Sequence, residues 1–368
     1  MKINWGALDE VVVTRRSFAP IYNLGSAEGM KSTPFGSASL VALDKRDEEN
    51  LHQRFRGDPY WRPIAAHYLF LYKEWQERVR RFRGHENVVE DLPDGLGLRQ
   101  SAYDQYDPFI CERLMLNFFC SFPIDTGSGF YVDRFPNPSR ANCAFFRFIE
   151  LEYNGAALEA TSEYEGYDLC EEIWLWKYTL RSEQLAKADS FAKKLSYILA
   201  EWVNKQSVFQ ESIDRFESGT SWPRQNEDRL TDYMTSLNAL YFPEEAPGIS
   251  AQLPGRVAVL LGWDERRSDR YKREKKLNEW YELRSKVVHG NPSRRSVNAE
   301  EINELRNYTR IAILLALSLR KRCESEYEWV QFCRRLQPIL GCDVSDAVLE
   351  IIGAAWEEWA PLLSNPDH

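Results

Sequence analysis

Residues 280–290 read WYELRSKVVHG, a stretch in which apolar residues are interspersed with charged ones up to a glycine. Gly290 is followed by Asn291 and Pro292, a combination that is a strong signal for the end of a helix. We therefore predict a helix from about Asp269 to His289, with the stretch at its carboxyl end.

Apolar residues recur at helical spacing on both sides of this stretch, and Gly or Pro residues separate the series. Asn298 and Glu301 have the spacing of a capping box, which predicts the start of a long helix that continues to Leu319. We therefore predict that residues 181–368 form an all-helical domain. The other predicted helices cover residues 185–202, 209–216, 230–240, 256–261, 325–340 and 344–362.

The first half of the chain has a different pattern of apolar and polar residues, which favours β-strands. Residues 144–153 alternate polar and apolar side chains with the period of a β-strand. Asn154-Gly155, the favoured two-residue hairpin turn, follows and leads into a candidate returning strand. Residues 130–132 form another β-like run, whereas the apolar positions within 62–82 predict a helix. Residues 1–180 are therefore predicted to be a mixed α+β domain with an antiparallel sheet.

The composition limits the kind of protein. A chain of 368 residues is long enough for two domains. The formal net charge of -9 argues against a general polyanion binder, so any nucleic-acid site should be a local basic patch. The seven cysteines have neither a C-x-x-C pair nor zinc-type spacing, and we interpret them as reduced core thiols. We expect no metal site and no cofactor.

The sequence shows no recognisable signal peptide and no membrane-spanning segment. The first five residues, Met1 to Trp5, do not begin the apolar stretch of a signal peptide. The longest largely apolar run, residues 311–319, is too short to span a bilayer. A cytoplasmic protein with no membrane partner is therefore expected.

Histidine is rare in this chain and occurs at positions 52, 67, 85, 289 and 368. His289 is the only histidine in the interior of the second half, and it follows Arg284 by five residues. The string from Trp280 to Gly290 resembles the Arg-x4-6-His signature of the HEPN superfamily, in its Apea-like branch. Two upstream stretches agree with it, because residues 229–241 are similar to the first helix of the family and residues 256–262 to the second.

Three matching segments in the same order make this resemblance more specific than an Arg-x4-His pair alone. It covers roughly residues 185–330 and does not extend to the first half. The chain departs from the family at Asn238, where the first helix often carries Glu.

The resemblance implies a helical bundle that forms homodimers, in which Arg–His pairs from two chains line one cleft. It implies metal-independent cleavage of RNA by an endonuclease of the hydrolase class, with Arg284, His289 and Ser285 as catalytic residues. Phage (antiviral) defence or a toxin-like role follows by analogy. The first domain would then be a sensor that binds a protein or small-molecule trigger, or another ligand.

These side chains suit the chemistry of RNA cleavage. Attack of a ribose 2′-hydroxyl on the adjacent phosphate needs proton transfer and stabilisation of added negative charge. A histidine such as His289 can serve as base or acid, and Arg284 offers phosphate oxygens a planar, permanently charged fork. Ser285 lies four residues before His289, on the same helical face, where its hydroxyl could orient the ring or contact phosphate.

Local charge supports an RNA-binding surface. Between Asp264 and Arg295 the sequence has eleven Lys and Arg residues against six Asp and Glu, a surplus of five. A solvated helix face is an equal alternative for the basic run at 266–276. The candidate RNA contacts are Lys272, Lys276, Lys286, Arg294 and Arg295.

A second interpretation treats the helical domain as a non-catalytic dimerisation or interaction module. Arg284 and His289 would then be a structural pair at a helix end or dimer seam, and the first domain would bind a protein or small ligand. Asn238 motivates this alternative. A metal-dependent enzyme in residues 1–180 has little support, because that half lacks a glycine-rich phosphate loop and a cluster of His and acidic residues.

Overall fold

A computed structural model shows that the chain divides into two compact units. The sheet unit comprises Met1–Arg113 and Asp125–Ser182, and the helical unit comprises Leu114–Ile124 and Glu183–His368. The predicted division at residue 180 lies close to the last boundary, but Leu114–Ile124 joins the helical unit, which the sequence did not indicate. The structure describes residues 8–26, 32–42, 68–82, 88–89, 110–121, 130–134, 145–147, 178–202, 207–220, 225–242, 249–290, 296–337 and 344–363.

The sheet unit is built on two long antiparallel strands, β1 (Leu8–Ser26) and β4 (Tyr68–Phe82). Their register runs without interruption from the pair Leu8↔Phe82 to the pair Ile21↔Leu69. The shorter strands are β2 (Ser32–Phe35), β3 (Ala38–Ala42), β5 (Val88–Val89), β6 (Phe130–Arg134), β7 (Phe145–Arg147) and β8 (Tyr178–Leu180).

The strands form one sheet in the order β2-β3-β4-β1-β6-β7, with β5 paired to β4 and β8 paired to β1. Only the β1–β8 pair is parallel among the described strands. The predicted antiparallel sheet is thus confirmed, and the β-like run at 130–132 belongs to β6. The predicted strand at 144–153 is seen as β7, whereas its remainder and the predicted Asn154-Gly155 hairpin lie outside the described residues.

The predicted helix over residues 62–82 is wrong, because the described part of that range is strand β4. Leu69 and Leu71 are fully buried and two residues apart, which is the period of a strand with one side facing a core. Between them, β1 and β3 pair with β4 on both sides at this point. Tertiary pairing therefore overrode a weak local helical pattern.

The second half is helical throughout its described residues, as predicted, and a first helix contributes from the earlier sequence. The described residues contain nine α-helices followed by a short 3₁₀ turn at Ala360–Leu362. The helices are α1 (Ile110–Phe119), α2 (Ser182–Trp202), α3 (Ser207–Thr220), α4 (Asn226–Tyr241), α5 (Ile249–Leu261), α6 (Arg267–Val288), α7 (Ala299–Arg320), α8 (Glu326–Arg335) and α9 (Asp346–Trp359).

Helix α7 is the centre of the helical unit. All twelve residues from Thr309 to Arg320 are buried, and α7 packs against α3, α4, α5 and α9. Polar groups that are buried beside such a helix cannot reach water, so they need hydrogen-bond partners within the protein. Accordingly, the Tyr241 hydroxyl donates to the Ala312 carbonyl at 2.5 Å and the Trp359 indole donates to Ser318 Oγ at 2.8 Å.

The predicted capping box at the start of α7 is confirmed. The Asn298 side chain accepts from the Glu301 amide at 2.9 Å, and the Glu301 carboxylate accepts from the Asn298 amide at 3.4 Å. These reciprocal hydrogen bonds satisfy two of the four backbone N–H groups that the start of a helix leaves without a partner.

Two further expectations concern chemistry and membranes. Of the cysteines that the structure describes, Cys120 and Cys333 are buried, whereas Cys323 is half-buried and Cys111 is exposed, so Cys111 and Cys323 do not fit the prediction of core thiols. Within the described part of the chain, no helix combines the length and the apolar character needed to cross a bilayer.

Candidate functional site at the carboxyl end of α6

The predicted site lies where α6 ends. His289 is the C-cap residue, and its amide donates to the Ser285 carbonyl at 3.1 Å. Gly290 follows with a φ of 64°, and its amide donates to the Val287 carbonyl at 3.1 Å. A residue in this left-handed conformation is usually glycine, which explains why the Gly at this position correctly predicted the end of the helix.

One face of α6 anchors the helix in the unit. Leu277, Trp280 and Leu283 are at most 5% exposed, and α6 packs against α4 and α5. The Trp280 ring also meets the Tyr308 ring of α7 edge-on, with 5.8 Å between ring centroids. The carboxyl end of α6 is therefore held on a rigid support of buried side chains.

Arg284 and His289 project from different sides of this support. Arg284 is half-buried and lies one turn after Trp280 and two turns after Leu277, so it shares the packed face. His289 is exposed. Five residues of helix separate the two side chains by about 140° around the axis and about 7 Å along it. One copy of the helix therefore does not present both groups on one face.

Ser285 and Lys286 flank the pair. Ser285 is half-buried and lies one helical turn before His289, on the same side of α6, as its spacing predicts. Its carbonyl accepts the His289 amide, which fixes the backbone around the imidazole. Lys286 is exposed in the last turn of α6. The predicted residues 284–286 and 289 thus share the last turns of α6, but only Ser285 lies on the same side of the helix as His289.

The other predicted RNA contacts lie elsewhere. Along an ideal helix, Lys272 and Lys276 are about 25 Å and about 20 Å from His289. Lys272 is exposed and pairs with Asp269 at 2.8 Å. Lys276 forms an ion pair with Glu304 of α7 and lies 5.3 Å above the Trp280 ring. Arg294 and Arg295 lie outside the described residues.

Two cations of this basic stretch are paired with carboxylates of the same stretch. Lys272 holds the pKa of Asp269 below its ordinary value through a hydrogen bond and charge, and Asp269 raises the pKa of Lys272 in turn. Arg273 forms an ion pair with Glu265 and lies 5.1 Å from the Tyr308 ring centroid. Only the Asp269–Lys272 pair could have been found from spacing, since residues three apart are neighbours on a helix.

Asn238, the position that departs from the family pattern, is half-buried on α4. Its carbonyl accepts the Phe242 amide at 2.9 Å at the end of that helix. Its side-chain oxygen is buried and makes no hydrogen bond. Among the described contacts, none joins Asn238 to Arg284, so Asn238 does not orient the guanidinium by a hydrogen bond.

Comparison with known proteins gives no independent assignment, since no family model, no curated protein and no solved structure matches the chain. The family resemblance therefore rests on the three sequence segments alone.

In the described residues, no group of three or more His, Cys, Asp and Glu side chains is arranged to hold a metal ion.

Proposed function

We propose that the protein is a metal-independent endoribonuclease of the HEPN type, whose active site is formed by Arg284 and His289 from two copies of the helical unit. The observation that supports this most is the placement of His289, exposed at the end of α6, with Arg284 in the preceding turns. A packed helix that ends in an exposed histidine, with an arginine five residues earlier, is suited to bind and cut a phosphodiester when a second copy completes the site.

In the proposed reaction, a ribose 2′-oxygen forms a bond to the adjacent phosphorus while its proton passes to the imidazole of one His289. The bond from phosphorus to the 5′-oxygen breaks, and that oxygen takes a proton from a second imidazole, in its imidazolium form. The products are a 2′,3′-cyclic phosphate and a 5′-hydroxyl. Arg284 stabilises the additional negative charge on the phosphoryl oxygens.

Two chains are part of the proposal for a geometric reason. His289 is the only histidine among the described residues, and acid–base catalysis of this step uses two proton-transfer groups. Arg284 and His289 also lie about 140° apart around α6. A two-fold pairing of α6 ends would supply a second imidazole and could bring the Arg284 of one copy beside the His289 of the other.

The wider role follows the family resemblance. We propose that RNA cleavage serves defence against phage or acts as a toxin, and that the sheet unit binds the trigger. Lys286 would contact the RNA backbone near the scissile phosphate, whereas Lys272 and Lys276 are already paired with carboxylates and would contribute less.

A second candidate function, a non-catalytic dimerisation module, is favoured by the half-buried position of Arg284 on the packed face of α6. In that case Arg284 is a structural residue of the dimer seam. Loss of dimer mass in the Arg284→Ala variant, with no change in any RNA chemistry, would support this alternative.

The test is RNA cleavage in EDTA by the full chain and by the His289→Ala variant. Val288→Ala is the matched control, since Val288 is the exposed neighbour of His289 and has no role in the proposed chemistry. We expect His289→Ala to lower the rate at least about 100-fold and Val288→Ala to leave it unchanged. Equal cleavage by all three proteins contradicts the assignment of His289.

The sheet unit sets a condition for this assay. If the wild-type protein is silent alone, the same comparison is made in cells in which the protein is toxic or protects against phage. Toxicity or protection that persists in His289→Ala would exclude the proposed catalytic role.

A further inference from the structure

The carboxyl-terminal half of α1 is an integral part of the helical unit, although about 60 residues of the chain separate it from α2. We call residues 114–121 the strap. Met115, Leu116, Phe118, Phe119 and Cys120 are each at most 2% exposed. Burial of this extent is that of a core element and not of a surface segment.

Aromatic contacts place the strap between helices of this unit. Phe118 stacks on Phe216 of α3, with 4.7 Å between ring centroids. Phe119 lies 5.4 Å from Phe191 of α2, which in turn meets Trp359 at 5.6 Å. The two phenylalanines of the strap thus contact two separate groups of aromatic side chains in the helical unit.

Two buried arginines of α7 receive the end of the strap. Arg306 donates to the carbonyls of Asn117 at 2.6 Å and Cys120 at 3.3 Å. Arg310 donates to the carbonyls of Phe118 and Phe119, each at 3.0 Å. The last carbonyls of a helix lack partners within the helix and carry its negative dipole end, so two cations there are complementary to them.

The buried guanidinium groups of these arginines use the strap carbonyls as hydrogen-bond acceptors. Arg306 and Arg310 are each 1% exposed. Burial, together with the charge of Arg306, lowers the pKa of Arg310 to about 9, so its guanidinium is still charged at neutral pH. A buried charge that loses its acceptors is strongly destabilising. Without the strap, these two buried cations would lose the carbonyl acceptors that the strap supplies.

We propose that the strap is an internal ligand of the helical unit, that α2, α3 and α7 form its binding surface, and that these helices reach their folded state only with the strap seated. The strap belongs to the part of the sequence that otherwise forms the sheet unit. Release of the strap would therefore remove the support of α7, whichever function the helical unit performs.

The test uses the full-length protein and hydrogen exchange read out helix by helix. In Phe118→Ala, we expect amides of α2, α3 and α7 to exchange faster by a common factor of about 100 or more, because the helices unfold together when the strap loses its anchor. Phe118→Leu is the milder variant, for which we expect a common factor of about 10, if the alanine variant does not fold.

Phe35→Leu is the matched control, since Phe35 is a fully buried phenylalanine of the sheet unit. We expect it to leave the exchange of α3 and α7 unchanged. Faster exchange confined to residues 110–121, with α3 and α7 protected as in the wild type, would overturn the proposal. So would an equal acceleration of α3 and α7 in Phe35→Leu.

Discussion

Arg284 combines two properties at the residue scale, because it is charged and yet lies on the packed face of α6. The residues one and two turns before it, Trp280 and Leu277, are almost completely buried. Exposure of this face is greater near the end of the helix, where Arg284 is half-buried. A half-buried arginine has less conformational freedom than a fully exposed one, and its planar fork suits a bidentate contact with phosphate.

Substitutions of Arg284 distinguish the contribution of its positive charge from that of its planar guanidinium. We expect Arg284→Ala to lower RNA cleavage by about 100- to 1,000-fold and Arg284→Lys to recover only part of that loss, since lysine restores the charge but not the planar fork. The free energy of unfolding should change by about 1 kcal/mol or less. Steady-state kinetics and urea unfolding measure the two effects. A large loss of stability with unchanged cleavage by the folded fraction would instead identify Arg284 as structural.

Local patterns were sufficient at some residues and insufficient at others. The Asn298–Glu301 capping box and the glycine end of α6 depend on residues within a few positions of one another, so the sequence alone predicted them. The ion pair of Lys276 with Glu304 joins residues 28 positions apart on different helices. Such a pair depends on the packing of α6 beside α7, and spacing does not reveal it.

At the scale of elements, α9 is attached to its neighbours by the carboxylate of Glu358. Glu358 accepts from Ser318 Oγ of α7 at 2.9 Å and lies 3.6 Å from Lys194 Nζ of α2 and 3.5 Å from the Arg322 guanidinium. Partial burial opposes ionisation of Glu358, but the Ser318 hydrogen bond and the positive charges outweigh it and lower its pKa. Burial also lowers the pKa of Lys194, more than Glu358 raises it.

This attachment predicts a dependence of stability on pH. A carboxyl group whose pKa is lower in the folded state stabilises the fold above its unfolded pKa, here 4.5, and the contribution disappears as the pH falls through the folded value. We expect the wild type to be more stable than Glu358→Gln at neutral pH. The difference should shrink as the pH falls below 4.5, which urea unfolding at several pH values measures.

Glu357→Gln is the control for this comparison, because Glu357 is the exposed neighbour of Glu358 on α9. We expect its stability to follow that of the wild type at each pH. A difference between wild type and Glu358→Gln that stays constant down to about pH 3 would show that the charge of Glu358 does not stabilise α9.

Strand β4 shows why one element was mispredicted. Its sequence has apolar residues among many charges, and several of these residues also fit a helical period. What decides the strand is pairing with β1 and β3, which are distant in sequence. Strand formation depends on such partners more than helix formation does, so the helices of the second half were predicted more successfully than the sheet of the first.

At the scale of the whole molecule, the chain does not divide at a single point. A change of texture near residue 180 is visible in the sequence and lies close to a true boundary. The strap is not visible in this way, because Phe118 and Phe119 look like ordinary core residues of the first domain. Their assignment to the helical unit depends on Phe191, Phe216 and the two arginines of α7, which only the folded structure brings together.

We propose that the α6 ends of two chains cleave RNA through the ribose 2′-hydroxyl. The most direct measurement is cleavage, in EDTA, of an RNA and of the same sequence with 2′-deoxy sugars, with analysis of the product ends. We expect that only the RNA is cut and that its fragments carry a 2′,3′-cyclic phosphate and a 5′-hydroxyl. Cleavage of both substrates, or fragments with 5′-phosphate ends, would contradict it.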